Sequence, residues 1–342
     1  MTVQPSTGHR PERRTVIILA TIALSGLVAA ALLLRPGGRA DGLPVLRVGN
    51  QKGTTRALLE ASGVLKDLPY RIEWSEFPAA QHLLEALTAD ATDVGLVGDA
   101  PFLFSYAGGS PLKVVSVVAL GSGGGSVAIL VPKKSSIRTV ADLKGKKVAT
   151  GKISIGHYLL LRVLEKERLT AKDIHSVFLP PNDALSAFSA GSIDAWATWA
   201  PFLDAALLQG NARVLVDGTG LVTGYGYHVA TPDAISRKGE LLRDFKQRLA
   251  RGYAWANTHE REYGEALAKT TGLPVEVALS YARRNNPHSV EFSDKLVDDA
   301  RQVVATISRG EAQPGPKRDV RDAFALDTGT IAGLRSQADR RD

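Results

Sequence analysis

The groups in this chain with the clearest chemical meaning are hydrogen-bond donors left over at helix starts. Asp93-Val-Gly-Leu-Val-Gly-Asp-Ala-Pro-Phe-Leu-Phe104 reads as an apolar strand, a tight Gly98-Asp99 turn and a helix with Pro101 in its first turn. Proline is tolerated there because its missing N–H would have had no intrahelical partner. The amides of Gly98, Asp99 and Ala100 then sit at the carboxyl end of a strand, where the helix dipole favours a negative ligand. The Asp99 carboxylate would repel an anion, so its turn and backbone are the useful parts, with the side chain placed to cap the helix. Gly151-Lys-Ile-Ser-Ile-Gly-His157 opens a second helix of this kind. Ser154 can cap it, Gly156 lets a ligand approach free amides, and His157 stands in the first turn. Gln51 and Lys52 add an amide and an ammonium in the loop after the first strand, and Ser126 adds a hydroxyl at the end of Gly121-Ser-Gly-Gly-Gly-Ser126. These donors suit holding an anion, not transforming it.

Catalytic groupings are missing from the pattern. The seven His show no i, i+4 pair, which disfavours a zinc site. No Gly-x-Ser-x-Gly elbow or phosphate-binding P-loop occurs, and the glycine run at 121–126 leads into the strand Val127–Val131, not a helix, so it fails as a dinucleotide fingerprint. No catalytic residue, metal ligand or cofactor is assigned. The chain has no cysteine, which excludes disulfides, thiol nucleophiles, Cys-ligated metals and lipidation at an N-terminal Cys.

Elements to position the donors follow from periodicity. Leu87-Thr-Ala-Asp-Ala-Thr-Asp93 matches Phe188-Ser-Ala-Gly-Ser-Ile-Asp194, and Ala100-Pro-Phe-Leu103 matches Ala200-Pro-Phe-Leu203, with a one-residue difference in the Asp-to-Pro spacing. A helix–turn–strand–turn–helix unit used twice predicts two similar α/β lobes whose strand ends face one cleft. The 342 residues are enough for two cores. Residues 43–127 and 229–310 are assigned to lobe I with C-terminal helices, and 128–228 to lobe II. The crossings are expected near Val127 and in Tyr225-Gly-Tyr-His-Val229. After Pro232 the pattern is helical, and 311–342 reads as a loosely wrapping tail.

Residues 1–42 form a separate N-terminal segment. Arg10, Arg13 and Arg14 precede Thr15–Leu34, twenty residues without a charge. Such a run can span a bilayer, with the Arg cluster on the cytoplasmic side. It is read as either an export signal cut near residue 40 or an uncleaved anchor, and both place the remainder outside the cytoplasm. Of the net charge of +7, residues 1–44 hold five Arg against one Glu and one Asp, leaving +4 for the rest. Without a run of Lys and Arg interleaved with aromatics, no nucleic-acid partner is expected.

With these residues in view, Asp93-Val-Gly-Leu-Val-Gly-Asp-Ala-Pro101 and Ala107-Gly-Gly-Ser-Pro-Leu112 resemble the nitrate/taurine/sulfonate solute-binding proteins of ABC importers. Asp142-Leu-Lys-Gly-Lys-Lys-Val148, His157-Tyr-Leu-Leu160, Leu179-Pro-Pro-Asn-Asp183 and Gly191-Ser-Ile-Asp-Ala-Trp196 look like the aliphatic sulfonate binders in particular. The resemblance implies a two-lobed periplasmic-binding-protein fold of type II with two hinge crossovers and C-terminal helices. It implies an extracytoplasmic binding component, not an enzyme, that delivers a small oxyanion to a membrane permease and its ATPase, and it is expected to act as a monomer. A sulfonate needs donors, positive potential and an apolar wall, so Trp196, Trp199, Tyr225 and Tyr227 become candidates for the organic part, and Arg283 for the anion by family position. Nitrate, taurine and a thiamine-type pyrimidine, bound or synthesised by a relative of this fold, are the alternatives. The resemblance departs at Gly151-Lys-Ile-Ser-Ile-Gly156, where the family has a more polar turn, and at the N-terminus, which is unusually long and apolar without a lipobox.

Overall fold

The computed structural model describes residues 42–121, 123–310 and 318–326. The apolar run 15–34 and most of the tail lie outside the described residues, and among those described no helix is long and apolar enough to cross a membrane.

In chain order, β1 (Val45–Gln51), α1 (Thr54–Ala61), β2 (Arg71–Phe77), α2 (Ala80–Thr88), β3 (Val94–Gly98), α3 (Asp99–Ala107) and β4 (Lys113–Leu120) begin a first lobe. The second lobe holds β5 (Val127–Pro132), β6 (Lys147–Thr150), α4 (Ile155–Lys166), β7 (His175–Phe178), α5 (Pro181–Ser189), β8 (Ala195–Trp199), α6 (Phe202–Leu208) and β9 (Ala212–Asp217). The chain then returns through β10 (Tyr225–Ala230), α7 (Pro232–Arg237), α8 (Gly239–Ala256), α9 (Glu260–Thr271), α10 (Val275–Asn285), β11 (Pro287–Val290) and α11 (Asp294–Gly310). The sheets run β11-β4-β10-β3-β1-β2 and β7-β6-β8-β5-β9. Their parallel pairs and covering helices are those of doubly wound α/β folds.

The two connections between sheets are 121–126 and 218–224. Tyr227 already pairs with Val97 of β3 and with Val117 of β4, so the expected boundary at 228 falls inside β10. The glycines of Tyr225-Gly-Tyr-His look like a linker, yet alternation buries Tyr227 and Val229 in the first lobe.

The internal repeat has a structural basis. Asp93 N–H donates to the Arg47 carbonyl (2.8 Å) while its Oδ2 accepts from Arg47 N–H (2.6 Å). Asp194 does the same with Lys147, at 2.9 and 2.8 Å. Each aspartate thus pins the start of one strand to its parallel neighbour. Burial alone would raise the Asp93 carboxyl; hydrogen bonds from Arg47 and Lys238 outweigh it and hold the group below the usual carboxylate range.

Among the described residues, three larger apolar cores follow from the layers, beside a small cluster of Ala57, Leu267, Ala268 and Ala278. One joins Leu46, Leu59, Val94 and Phe245 beneath α1 and α8, and another joins Leu130, Phe188, Trp196 and Leu203 in the second lobe. The third is continuous across both lobes, through Phe102, Leu160 and Val303. It is sealed by α11, whose buried stripe packs against both α3 and α4. The edge strand β11 was not expected from the sequence; Pro287 at its start suits an edge position.

Candidate functional site

A cavity of about 180 Å³ opens between the two sheets. Five helix starts surround it: Thr54 of α1, Ala80 and Gln81 of α2, Pro101 of α3, Ser154 and Ile155 of α4, and Pro201 with Phe202 of α6. Ser154 caps α4 by accepting from His157 N–H at 3.1 Å. The N-cap positions of α1, α2, α3 and α6 are Gly53, Ala79, Gly98 and Pro201, and none supplies a side-chain cap. The α1 start is satisfied from other residues of its lobe, Asn50 Oδ1 accepting from Thr55 N–H at 3.1 Å and Glu76 Oε2 from Gly53 N–H at 3.0 Å, and Ala100 N–H of α3 goes to Asp99; the remaining first-turn amides are the donors the cleft can offer. Among the described residues, Lys52 is the only charged side chain in its lining, which includes neither a carboxylate nor a histidine. The Lys52 Nζ lies 5.7 Å from the centre of the Phe202 ring across the cleft. Leu96, Val118, Leu120, Trp199 and Tyr225 form much of the remaining wall.

Of the residues singled out from sequence, the cavity gathers Gln51, Lys52, Gly98, Ser126, Ser154, Trp199 and Tyr225. Gln51 is held by its Nε2, which donates to the Leu96 carbonyl at 2.6 Å. Ser126 Oγ lies 3.4 Å from Asn285 Oδ1. Trp199 ends β8 and meets Phe202 edge-on at 6.0 Å, so it stands at the strand's carboxyl end, where the cleft is.

The other seven do not line it. Asp99 and Ala100 are completely buried. The Asp99 carboxylate accepts from Ala100 N–H at 2.6 Å and from the Thr223 hydroxyl; burial pushes it up to about 6 in spite of those bonds. Gly156 serves packing, because a Cβ there would come 2.6 Å from the Ala197 carbonyl oxygen. His157 is buried between Phe104, stacked at 6.0 Å, and Phe178, edge-on at 5.1 Å. Its Nδ1 accepts from Ile153 N–H at 3.3 Å, shaping the turn before α4. Trp196 points into the second lobe's core against Phe188, and Tyr227 is likewise core. Arg283 faces a separate surface hollow with Leu208 and Leu279. Its neighbour Arg284 lines the same hollow and reaches Asp204 of α6 at 3.0 Å.

Sequence reasoning missed Phe202, Gln81 and Asn285. Phe202 could have been found as the residue after Pro201 in the second repeat, since Pro101 and Pro201 both line the cleft. Nothing local marks Asn285. The arrangement can grip a small anion by amides and one ammonium while burying an apolar tail.

Comparison with known proteins agrees with this geometry. Residues 76–263 match the family described as NMT1/THI5 like. The chain is 37% identical over 305 residues to an aliphatic sulfonates-binding protein of Escherichia coli (strain K12), covering 88% of this chain and 94% of that one. The crystal structure of the periplasmic aliphatic sulphonate binding protein SsuA from Escherichia coli superposes with a TM-score of 0.74 at 35% identity, covering 82% of this chain and 91% of that one. The alkanesulfonate-binding protein SsuA from Xanthomonas axonopodis pv. citri, bound to MOPS, gives a TM-score of 0.76 at 33% identity, covering 82% and 97%. The fold is that of the periplasmic binding proteins, as the resemblance implied, and the chain belongs to the NMT1/THI5-like family together with these sulfonate binders.

Proposed function

We propose that this protein is the extracytoplasmic solute-binding component of an ABC importer and that it captures alkanesulfonates in the cleft between its lobes. The observation that carries this reading is that helix starts from both lobes and one ammonium border a cavity with no carboxylate among its described lining residues. A sulfonate is a permanent anion with three acceptor oxygens, matched to amides and Lys52. Its organic tail fits against Trp199, Phe202, Tyr225 and the aliphatic wall. The MOPS held by the Xanthomonas relative is itself a propanesulfonate carrying a ring, and the apolar wall here suits such a substituent. Nitrate has no tail to use that wall, and the ammonium of taurine finds no carboxylate among the described lining residues. Export through residues 15–34, action as a monomer and delivery to a permease with its ATPase complete the proposal.

Calorimetry with ethane-, butane- and hexanesulfonate, MOPS, taurine, nitrate, sulfate and a thiamine-type pyrimidine tests it. Affinity is expected to rise along the alkane series, each buried methylene adding about 0.8 kcal/mol until the cavity is filled. Taurine and nitrate are expected to bind more weakly than butanesulfonate. Binding of the pyrimidine alone would replace this reading.

Lys52→Met keeps the stem and removes the charge. Loss of one charge-assisted bond is worth roughly 1.5–3 kcal/mol, or about 10- to 100-fold in Kd for the sulfonate. The variant's affinity should also depend less on salt. Wild-type affinity in Lys52→Met would remove the lysine from the site.

A further inference from the structure

The last turn of α10 makes contacts that neither packing of its own lobe nor the anion site requires. Asp204 of α6, in the second lobe, has a fully buried side chain. Its Oδ1 accepts from Ser280 Oγ at 2.7 Å and from Arg284 Nε at 3.0 Å, both on α10. Its Oδ2 has no hydrogen-bond partner among the described residues, so α10 supplies the bonds that compensate this carboxylate. Arg284 also reaches the Gly125 carbonyl of the first crossover at 3.4 Å.

The next residue, Asn285, lines the cavity. Its Nδ2 donates to the Tyr281 carbonyl at 2.9 Å, which turns Oδ1 toward Ser126 Oγ. Its own carbonyl accepts from Gly121 N–H at 2.7 Å. Two adjacent residues at one helix end thus hold the opposite lobe, both ends of the first crossover and a hydroxyl in the cleft wall. An arrangement of this kind ties the spacing of the lobes to the position of the first crossover, which forms part of the cleft wall.

We propose that the C-terminal half of α10 is a closure clasp, in which Arg284 and Ser280 hold Asp204 of the opposite lobe while Asn285, accepting from the Ser126 hydroxyl and from Gly121 N–H, fixes the first crossover where it forms the cleft wall. The clasp rests on the reading of the cleft as the anion site. Arg284, Ser280 and Asn285 are positioning residues. Arg284 favours the closed, binding-competent arrangement, and the apparent affinity scales with the fraction of molecules in that arrangement.

The test uses the full-length chain and two readouts. Small-angle scattering measures the radius of gyration without ligand and at saturating hexanesulfonate, and calorimetry measures hexanesulfonate affinity. Arg284→Met is expected to be larger than wild type without ligand, to contract to the wild-type value when saturated, and to bind about tenfold more weakly. Asn285→Ala is expected to weaken binding with no change in size. Arg284→Met leaves a buried carboxylate unpaired and could fail to fold. The double variant Arg284→Met/Asp204→Asn removes the charge from both sides, and it should reproduce the expansion and the affinity loss. If the double variant keeps the wild-type size and affinity, the clasp is wrong. If wild type binds no sulfonate at all, the ligand reading fails, while the ligand-free sizes still decide whether Arg284 holds the lobes together.

Discussion

Gly124→Ala is expected to destabilise the protein by about 4 kcal/mol, summing backbone strain and overpacking of roughly 1–3 kcal/mol each. Both crossovers pass through this point. Gly124 has φ +101°, and a Cβ there would sit 2.4 Å from the Gly218 carbonyl oxygen. The contact is reciprocal, since a Cβ on Gly218 would come 2.6 Å from the Gly124 oxygen. The two connections are therefore pressed together backbone to backbone, and no side chain at the far end of a flexible stem is available to yield. Gly123 next to it supplies the control: it also has positive φ, +53°, but a Cβ would meet nothing within 4 Å. Gly123→Ala should cost only the left-handed penalty, about 1–2 kcal/mol. Thermal melts of the two variants decide the matter. At roughly 2–4 °C per kcal/mol for a large domain, a drop on the order of 10 °C is expected for Gly124→Ala and a few degrees for Gly123→Ala. Equal losses would mean that the crossovers do not rest on one another.

That contact was not legible in the sequence, where Gly121–Ser126 reads as a flexible loop at the edge of the cleft. Which glycine is indispensable depends on a second segment ninety-odd residues further on, and pairings at that separation leave no local signal. The lobes themselves were legible because strand alternation and helical periodicity are local, and because the repeated Asp93 and Asp194 do the same backbone work in both halves. The two tryptophans show where local reading ends. Strand alternation puts Trp196 and Trp199 on opposite faces of β8, but only the final residue of a strand reaches a cleft at its carboxyl end. Trp199 therefore lines the cavity and Trp196 fills the core. Arg283 and Arg284 differ by 100° around a helix; which of them pairs with the buried Asp204 depends on a residue 80 positions away in the chain. Asn285 is invisible for the same reason, its partner Ser126 being 159 residues distant. His157 looks like a ligand by its place at a helix start, yet a ring sandwiched by Phe104 and Phe178 is committed to packing.

The second large effect is a dependence of stability on pH that wild type conceals and Asp99→Asn should expose. Two buried groups titrate in opposite senses. His228 is buried on β10, with Tyr253 Oη 3.4 Å from its Nε2 and no partner for Nδ1 among the described residues. Burial lowers it to about 3. Its contribution is fully present above its unfolded value near 6.5 and is lost as pH falls toward 3, by up to about 1.4 kcal/mol per pH unit. Asp99 runs the other way. Burial raises it from 3.8 to about 6, so its contribution is fully present below 3.8 and is lost as pH rises through 6. Between about pH 4 and 6 the two slopes oppose each other, and wild-type stability should change little there.

An asparagine at 99 can still accept from Ala100 N–H and can donate to the Thr223 oxygen, while the buried charge disappears. Urea unfolding of Asp99→Asn against wild type should give equal stability near pH 4 and a gain of about 2–3 kcal/mol for the variant at pH 7.5, the equivalent of a two-unit shift less some hydrogen-bond mismatch. The variant alone should then lose stability steadily from pH 6.5 to 4, because the His228 slope is no longer offset. A variant no more stable than wild type at pH 7.5 would mean that the Asp99 carboxylate is not strained by its burial. The same charge bears on binding, since Asp99 adjoins Gly98 in the cleft wall. An ionised carboxylate behind that turn opposes an incoming anion, whereas the protonated form does not. Hexanesulfonate affinity of wild type should therefore fall severalfold as pH rises through 6, and that fall should vanish in Asp99→Asn.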